Sequence, residues 1–403
     1  MSQNYAGYIT GIYNNELTAD ITTRVTADFR GLEDQARRAL GARAFSYVSG
    51  GAGELGTMHH NRLAFQQWQL TPRMMRDMSA QDVSVELFGQ KYANPILMAP
   101  VGVQSIFHED KDTGVAEVCQ ELDVPFIMST ASTSSIEEIA AANKDGKRWF
   151  QLYWPHDSEV TLSLLKRAKE SGFSVLVITL DTWALAWRAG DLDEGYVPFF
   201  QGIGNQVGFS DPVFRTKYEG RTGKKIEDDI VQASREWVSD LFAGKAHTWE
   251  DLAFIRKNWD GPIVLKGIQH VEDAKLALQH GCDGIIVSNH GGRQVDGAVG
   301  SLDVLPEIVD AVGDQLTVLF DSGIRSGADI IKALCLGAKA VLAGRPVIYG
   351  LGIAGKKGAK HVLQGLLADF QRGMALTGLL NVDDCNRSKL RRGPAYGTGQ
   401  LVL

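Results

Sequence analysis

The feature that most constrains this chain is a rhythm that begins at Pro95. Eight short apolar runs, at 95–101, 125–130, 149–154, 174–182, 262–267, 284–291, 316–323 and 338–346, alternate with stretches of helical periodicity. Three of those stretches, "DSEVTLSLLKRAKESG", "HVEDAKLALQHG" and "GADIIKALCLG", each close on glycine after the last apolar position, as helix C-termini do. Strands separated by helices pair in parallel, because a parallel neighbour is reached only through a long crossover. Runs without polar alternation are buried on both faces. Eight such units predict an α/β fold, a closed (β/α)8 TIM barrel. An open doubly wound sheet is the alternative, but it would more naturally carry GxGxxG after its first strand, and "APVGVQS" is not that.

Two segments break the rhythm. Residues 1–94, which include the helix-like "GLEDQARRALGARAFSYVSGG", are expected to form an N-terminal extension packed on the barrel of residues 95–380. Residues 183–247 form a long insertion after the fourth strand, with a helix expected near "IVQASREWVSDLFAG". A loop there lies over the barrel's C-terminal face and makes a natural lid. Residues 381–403 are left as a C-terminal tail.

Catalytic groups of such barrels stand at the C-terminal ends of different strands. Read off in order, those ends present Ser129; Gln151 and Tyr153; Thr179 and Asp181, with Arg188 further on; Lys266; Ser288, His290 and Arg293; Asp321, Gly323 and Arg325; and Gly344 and Arg345. Five cations at one mouth suit an anionic ligand, although the formal net charge is −7. "DSGIRSGADI" and "AGRPV" put glycines, backbone N–H groups and arginines where barrels bind phosphate; the bland alternative is turn glycines beside surface arginines. Lys266 ends an apolar strand, which fits a salt bridge, a Schiff-base lysine or a cation beside an electron-accepting ring. His290, with Asp181 on a neighbouring strand end, fits a general base whose imidazolium the carboxylate favours, or a structural histidine. Tyr47 and Tyr153 are either core tyrosines or donors to the site.

Other function classes find little support. There is no basic stripe for nucleic acid and no apolar run of roughly 18 residues to span a bilayer. The first residues lack a signal-peptide pattern and "SKL" at 388–390 is not terminal, so the cytoplasm is the expected location. Cys119, Cys282, Cys335 and Cys385 are too scattered for a zinc site or disulfide framework. No metal site is expected, and the adjacent histidines of "MHHNR" (58–62) read as solvated surface.

Taken together, the strand ends resemble the FMN-dependent L-2-hydroxy acid oxidizing family, which includes glycolate oxidase, lactate oxidase, lactate 2-monooxygenase and mandelate dehydrogenase. "SNHGGRQ" is that family's signature, and the likeness runs through "FSYVSGGAG", "LMAPVG", "FQLY", "TLDTWALAWRAGDL", "LKGI", "FDSGIRSGADIIKALCLGA" and "GRP". It is strongest towards the lactate 2-monooxygenase branch, through "VELFGQ", "SDPVFR" and "HTWEDL". The resemblance implies that His290 takes the substrate's hydroxyl proton, that Asp181 stabilises the imidazolium, and that Arg188 and Arg293 hold the carboxylate, with Tyr47 and Tyr153 hydrogen-bonding to carboxylate and hydroxyl. It implies FMN held by Pro100, Val101, Gly102, Ser129, Gln151, Thr179, Lys266, Ser288, Asp321, Gly323, Arg325, Gly344 and Arg345. It further implies a small 2-hydroxy acid and O2 as reactants, and a homotetramer or homo-octamer. Ala131 falls where glycolate oxidase has a tryptophan, so the pocket is expected to admit more than glycolate. Gly102 matches the monooxygenase branch. A Schiff-base aldolase, a dehydrogenase with a non-oxygen acceptor and a silent binding barrel are the competing readings.

Overall fold

A computed structural model describes residues 3–18 and 24–393. Eight strands close into a barrel: β1 (Ile96–Met98), β2 (Phe126–Ser129), β3 (Arg148–Leu152), β4 (Leu176–Thr179), β5 (Ile263–Ile268), β6 (Gly284–Val287), β7 (Thr317–Phe320) and β8 (Ala340–Ala343). Every barrel pairing is parallel and sequential, and β8 closes on β1. All eight apolar runs of the sequence are therefore strands of one barrel.

Each strand is followed by a helix, in order α1 (Lys111–Glu121), α2 (Ile136–Asn143), α3 (Ser158–Glu170), α4 (Leu252–Asn258), α5 (Val271–Gln279), α6 (Ser301–Val312), α7 (Gly327–Cys335) and α8 (Arg345–Thr377). Local chemistry sets their starts. Ser135 and Glu138 make a reciprocal capping box on α2, and Asp157 accepts the first free N–H groups of α3. On α3, Val160, Leu164 and Ala168 recur at helical spacing and face inward. Helix α8 begins with Pro346 in its first turn and breaks at Ala354 and Gly355, where φ reaches +61°.

Side chains alternate along each strand, so the core has two parts. The outward set, such as Met98, Phe150, Ile178 and Leu265, packs under the helices. The inward set, including Leu97, Ile127, Trp149, Val177, Val264, Ile286, Leu319 and Leu342, fills the barrel. The bottom is stoppered by an antiparallel hairpin, Val85–Leu87 with Gln90–Tyr92, that the sequence reading left unassigned. Its Tyr92 accepts a 3.2 Å hydrogen bond from Trp149 Nε1, and Phe88 packs edge-on against the same indole.

The segment ahead of the barrel also supplies helices Gly7–Thr18, Leu32–Ala39, Ala42–Ser49 and Gly56–Gln66. Strand Trp68–Leu70 pairs antiparallel with Leu390–Arg392, so the described part of the tail is tied back to the N-terminal segment. Residues 1–2, 19–23 and 394–403 of the two terminal segments lie outside the described residues. The insertion after β4 contains helices Ala189–Asp193, Pro212–Thr222 and Ile230–Leu241, the last where a helix was expected. Cys119, Cys282 and Cys335 are buried, and all four cysteines are free thiols. Among the described residues no helix is long and apolar enough to cross a membrane.

Tyr92→Ala is expected to open the barrel floor under Trp149 and lower unfolding free energy by about 3–5 kcal/mol, read from the shift in denaturant midpoint.

Candidate active site

The same alternation that fills the barrel builds the site. Two residues beyond the inward apolar layer, on the same face, stand Ala99, Ser129, Gln151, Thr179, Lys266, Ser288, Asp321 and Gly344. Apolar strand cores thus end in a polar rim. A cavity opens at this rim, lined by Tyr47, Pro100, Val101, Gly102, Tyr153, Arg188, Lys266, His290, Arg293, Asp321, Gly323, Arg325, Gly344 and Arg345. Ser129, Gln151, Thr179 and Ser288 stand behind the lining. Ser129 Oγ donates to Gln151 Oε1 at 3.1 Å, and Gln151 Nε2 donates to Thr179 Oγ1 at 2.9 Å. Lys266 Nζ donates to Ser288 Oγ at 3.0 Å and lies 3.3 Å from Asp321 Oδ2.

His290 is thrown into the cavity by a run of left-handed residues: its own φ is +58°, followed by +66° at Gly291 and +75° at Gly292. A non-glycine residue in that region is strained and persists only where its surroundings hold it. Ser288 Oγ accepts His290 N–H at 3.0 Å, and Ser322 Oγ accepts the N–H groups of Asn289 at 3.2 Å and Gly291 at 3.0 Å. Asn289 and Asn61 exchange amide hydrogen bonds of 2.7 and 2.8 Å. Gly292 leaves no room for a side chain, since a Cβ there would lie 2.8 Å from Met58 N.

The imidazole is oriented on one edge only. His290 Nδ1 lies 2.7 Å from Asp181 Oδ1 and 3.0 Å from Thr182 Oγ1. Both partners fit a proton on Nδ1, which leaves the Nε2 lone pair facing the cavity, 3.5 Å from the Tyr153 hydroxyl. Burial raises the Asp181 carboxyl, but His290 and Lys266 outweigh this and bring it down to about 2. The pull of Asp181 on His290 is as expected, but it is outweighed. Asp181 does favour the imidazolium, yet burial, with Lys266 and Arg188 adding to it, holds His290 below its ordinary value. The resting ring is a neutral base rather than a cation.

Cations dominate the rest of the lining. Among the described residues no carboxylate stands within 4.0 Å of the guanidinium groups of Arg188, Arg293, Arg325 and Arg345. Burial, then Arg188, lowers Arg293 to about 10; burial, then Arg345, lowers Arg325 to about 10. Arg293 and Arg325 remain charged at neutral pH. Backbone carbonyls hold them instead: Arg293 Nη1 donates to Tyr47 O and Gly50 O at 2.7 and 2.8 Å, and Arg345 Nε to Val48 O at 2.7 Å. Arg188 is buried and the other three are half-buried; cations without carboxylate partners that line one cavity make an anion site.

The family description "FMN-dependent dehydrogenase" matches residues 36–392. The chain belongs to that FMN-dependent dehydrogenase family. Among family members it is 63% identical over 389 residues to the FMN-dependent alpha-hydroxy acid dehydrogenase qulF of Penicillium citrinum, covering 96% of each chain. It is 39% identical over 355 residues to an L-lactate oxidase of Lysinibacillus sphaericus, covering 88% of this chain and 90% of that one. A crystal structure of mandelate oxidase superposes with a TM-score of 0.78 at 35% identity, covering 92% of this chain and 99% of the other. The protein is an FMN-dependent 2-hydroxy acid oxidoreductase, and FMN is its cofactor.

The structure adds residues to this family site that the sequence reading passed over. Gln294, the last residue of "SNHGGRQ", accepts from Arg188 Nη2 at 2.8 Å and donates to the carbonyls of Asp181 and Ala184 at 2.7 and 3.0 Å. It ties Arg188 and the loop after β4 to the loop after β6. His59 and His60 are solvated as expected, but Asn61 of the same segment is buried against Asn289. The quoted motifs contained Gln294 and Asn61; their partners across the fold were not visible in one dimension. Gly102 has a steric reason: Val103 N–H donates to Ala131 O at 2.8 Å, and a Cβ on Gly102 would stand 2.6 Å from that oxygen.

Ser322→Ala removes one hydroxyl from two backbone N–H groups and from Asp321, to which it donates at 2.8 Å. It is expected to cost about 1–3 kcal/mol of stability, measured by denaturant titration at matched flavin content.

Proposed function

We propose that the chain oxidises a small L-2-hydroxy acid such as lactate to the 2-keto acid, with O2 as the final electron acceptor. The observation that carries this reading is a neutral, carboxylate-backed His290 Nε2 opening into a cavity that Arg188 and Arg293 make attractive to a carboxylate. The residues fit the cofactor. Arg325 and Arg345 at one end are cations in need of an anion and would hold the phosphate, with Gly323 and Gly344 admitting close approach. A Cβ on Gly344 would come within 3.2 Å of Ala99. Pro100, Val101 and Gly102 would flank the ring, with Ser129, Gln151, Thr179 and Ser288 beneath the rim. When bound, FMN supplies a ring that accepts hydride from the substrate α-carbon.

The chain's own groups do the rest. Arg188, Arg293 and Tyr47 would bind the carboxylate, and Arg293 already sits 5.0 Å over the Tyr47 ring. Tyr153 would donate to the substrate hydroxyl and His290 Nε2 would take its proton. Asp181 would keep the resulting imidazolium in place. Burial would lower Lys266, but Asp321 and Asp181 outweigh it and keep the lysine above its ordinary value, so it is a fixed cation. That disfavours the Schiff-base reading, which requires a neutral amine.

One observation favours a second outcome. Leu185, Arg188, Phe199 and Phe242, all from the insertion after β4, help to line the cavity. A site roofed in this way would hold peroxide and keto acid together, giving the decarboxylated acid, CO2 and water instead of free peroxide, as in a 2-monooxygenase.

The deciding experiment is oxygen uptake with L-lactate. The oxidase reading expects one H2O2 and one pyruvate per O2; the monooxygenase outcome expects acetate and little peroxide. Failure of lactate and its homologues to bleach the flavin anaerobically would overturn both. The pH profile has a defined sign. His290 works as the neutral ring and its pKa is lowered, so kcat/KM should hold down to about pH 6.5 and fall only below it. Asp181→Asn removes the charge that raises His290, so the acid limb should move lower still while kcat/KM drops by about 10²–10⁴-fold.

A further inference from the structure

We infer that, among the L-2-hydroxy acids this site oxidises, those with an uncharged apolar side chain of about four or more carbons are turned over more efficiently than lactate. This rests on the 2-hydroxy acid reading above and deepens it. An α-carbon has four substituents. The hydroxyl belongs with His290 and Tyr153, the carboxylate with Arg188, Arg293 and Tyr47, and the hydrogen must face the cofactor. One wall of the cavity is left for the side chain: Phe107, Ala131, Leu185, Phe199 and Phe242.

That wall is apolar throughout. Every charged residue of the lining is already committed elsewhere, to the carboxylate, the proton or the cofactor. Its aromatic members are braced rather than loose. Phe242 meets Tyr153 edge-on at 5.1 Å, Phe199 lies 5.9 Å from Phe242, and Phe107 lies 6.5 Å from Tyr47. The wall therefore borders both the hydroxyl and the carboxylate positions. Ala131 contributes only a methyl group to this wall, and its carbonyl fixes two glycines beside it: a Cβ on Gly102 would lie 2.6 Å from that oxygen, and one on Gly204 would lie 2.9 Å from the same atom. A methyl group would leave most of this aromatic surface uncovered, whereas a branched aliphatic or phenyl group would bury it. Each additional buried methylene is worth about fourfold in affinity. A charged side chain would be desolvated against phenyl rings without a partner.

The test uses the holoenzyme and a series: glycolate, L-lactate, (S)-2-hydroxy-4-methylpentanoate, (S)-mandelate and L-malate. We expect kcat/KM for anaerobic flavin reduction to rise from glycolate to lactate and to exceed lactate by about tenfold or more for the branched and aromatic acids, with malate below lactate. Titration of the flavin spectrum with keto acids, a binding readout without turnover, should show 2-oxo-4-methylpentanoate binding more tightly than pyruvate by a similar factor. Phe199→Ala and Phe242→Ala should each narrow the branched-to-lactate ratio by about fivefold. Lactate matching or exceeding the larger acids, or malate exceeding lactate, overturns the inference while leaving 2-hydroxy acid oxidation standing. No flavin reduction by any of the five overturns both. The wild-type series decides the matter even if a variant does not fold.

Discussion

A parallel strand in a closed barrel has two faces, and the inward one meets no water until the strand ends. That constraint organises this protein. Leu97, Trp149, Val264 and Leu319 can be apolar because they are sealed inside, and Ala99, Gln151, Lys266 and Asp321, one alternation further on, stand at the rim. The register pairs Ser129 with Gln151 and Thr179 with Lys266, so these polar groups stand side by side at the rim. The hairpin under Trp149 closes the other end, which leaves the C-terminal mouth as the place where polar chemistry is sustained.

The electrostatics of that mouth oppose those of the whole molecule. The chain is acidic overall, yet its cavity is walled by guanidinium groups that lack carboxylate partners. Their desolvation is offset by carbonyls of the N-terminal segment, Tyr47, Val48 and Gly50, which accept from Arg293 and Arg345. The extension ahead of the barrel is thus part of the site, and the cavity keeps a surplus of positive charge for anions to neutralise. Inside that field the His290–Asp181 pair is poised by opposing effects. The carboxylate pulls the ring towards its cation, while burial and Lys266 push it back, leaving a base that accepts a proton only when one is delivered to it.

Strain completes the arrangement. His290 and Ser322 are both non-glycine residues with positive φ, on adjacent loops, and the Ser322 hydroxyl joins them. Such conformations are stored where surrounding bonds over-determine them. Here the surrounding bonds reach to Asn61, far away in the chain, so the base is aimed by a helix of the extension as well as by its own strand.

The sequence by itself determined the barrel, because unbroken apolar runs between helical repeats have few other ways to bury both faces. It also determined which residues stand at the strand ends, since alternation along a strand is a one-dimensional property. The helix at Ile230–Leu241 was legible for the same reason. Only the tertiary structure decided what depends on pairing across the chain. The hairpin that plugs the barrel, the antiparallel partnership of Trp68–Leu70 with Leu390–Arg392, the bridging role of Gln294 and the depressed pKa of His290 all fall in this class. Burial and charge fields sum over neighbours that are distant in sequence, so the general base was legible in the sequence while the net lowering of its pKa was not.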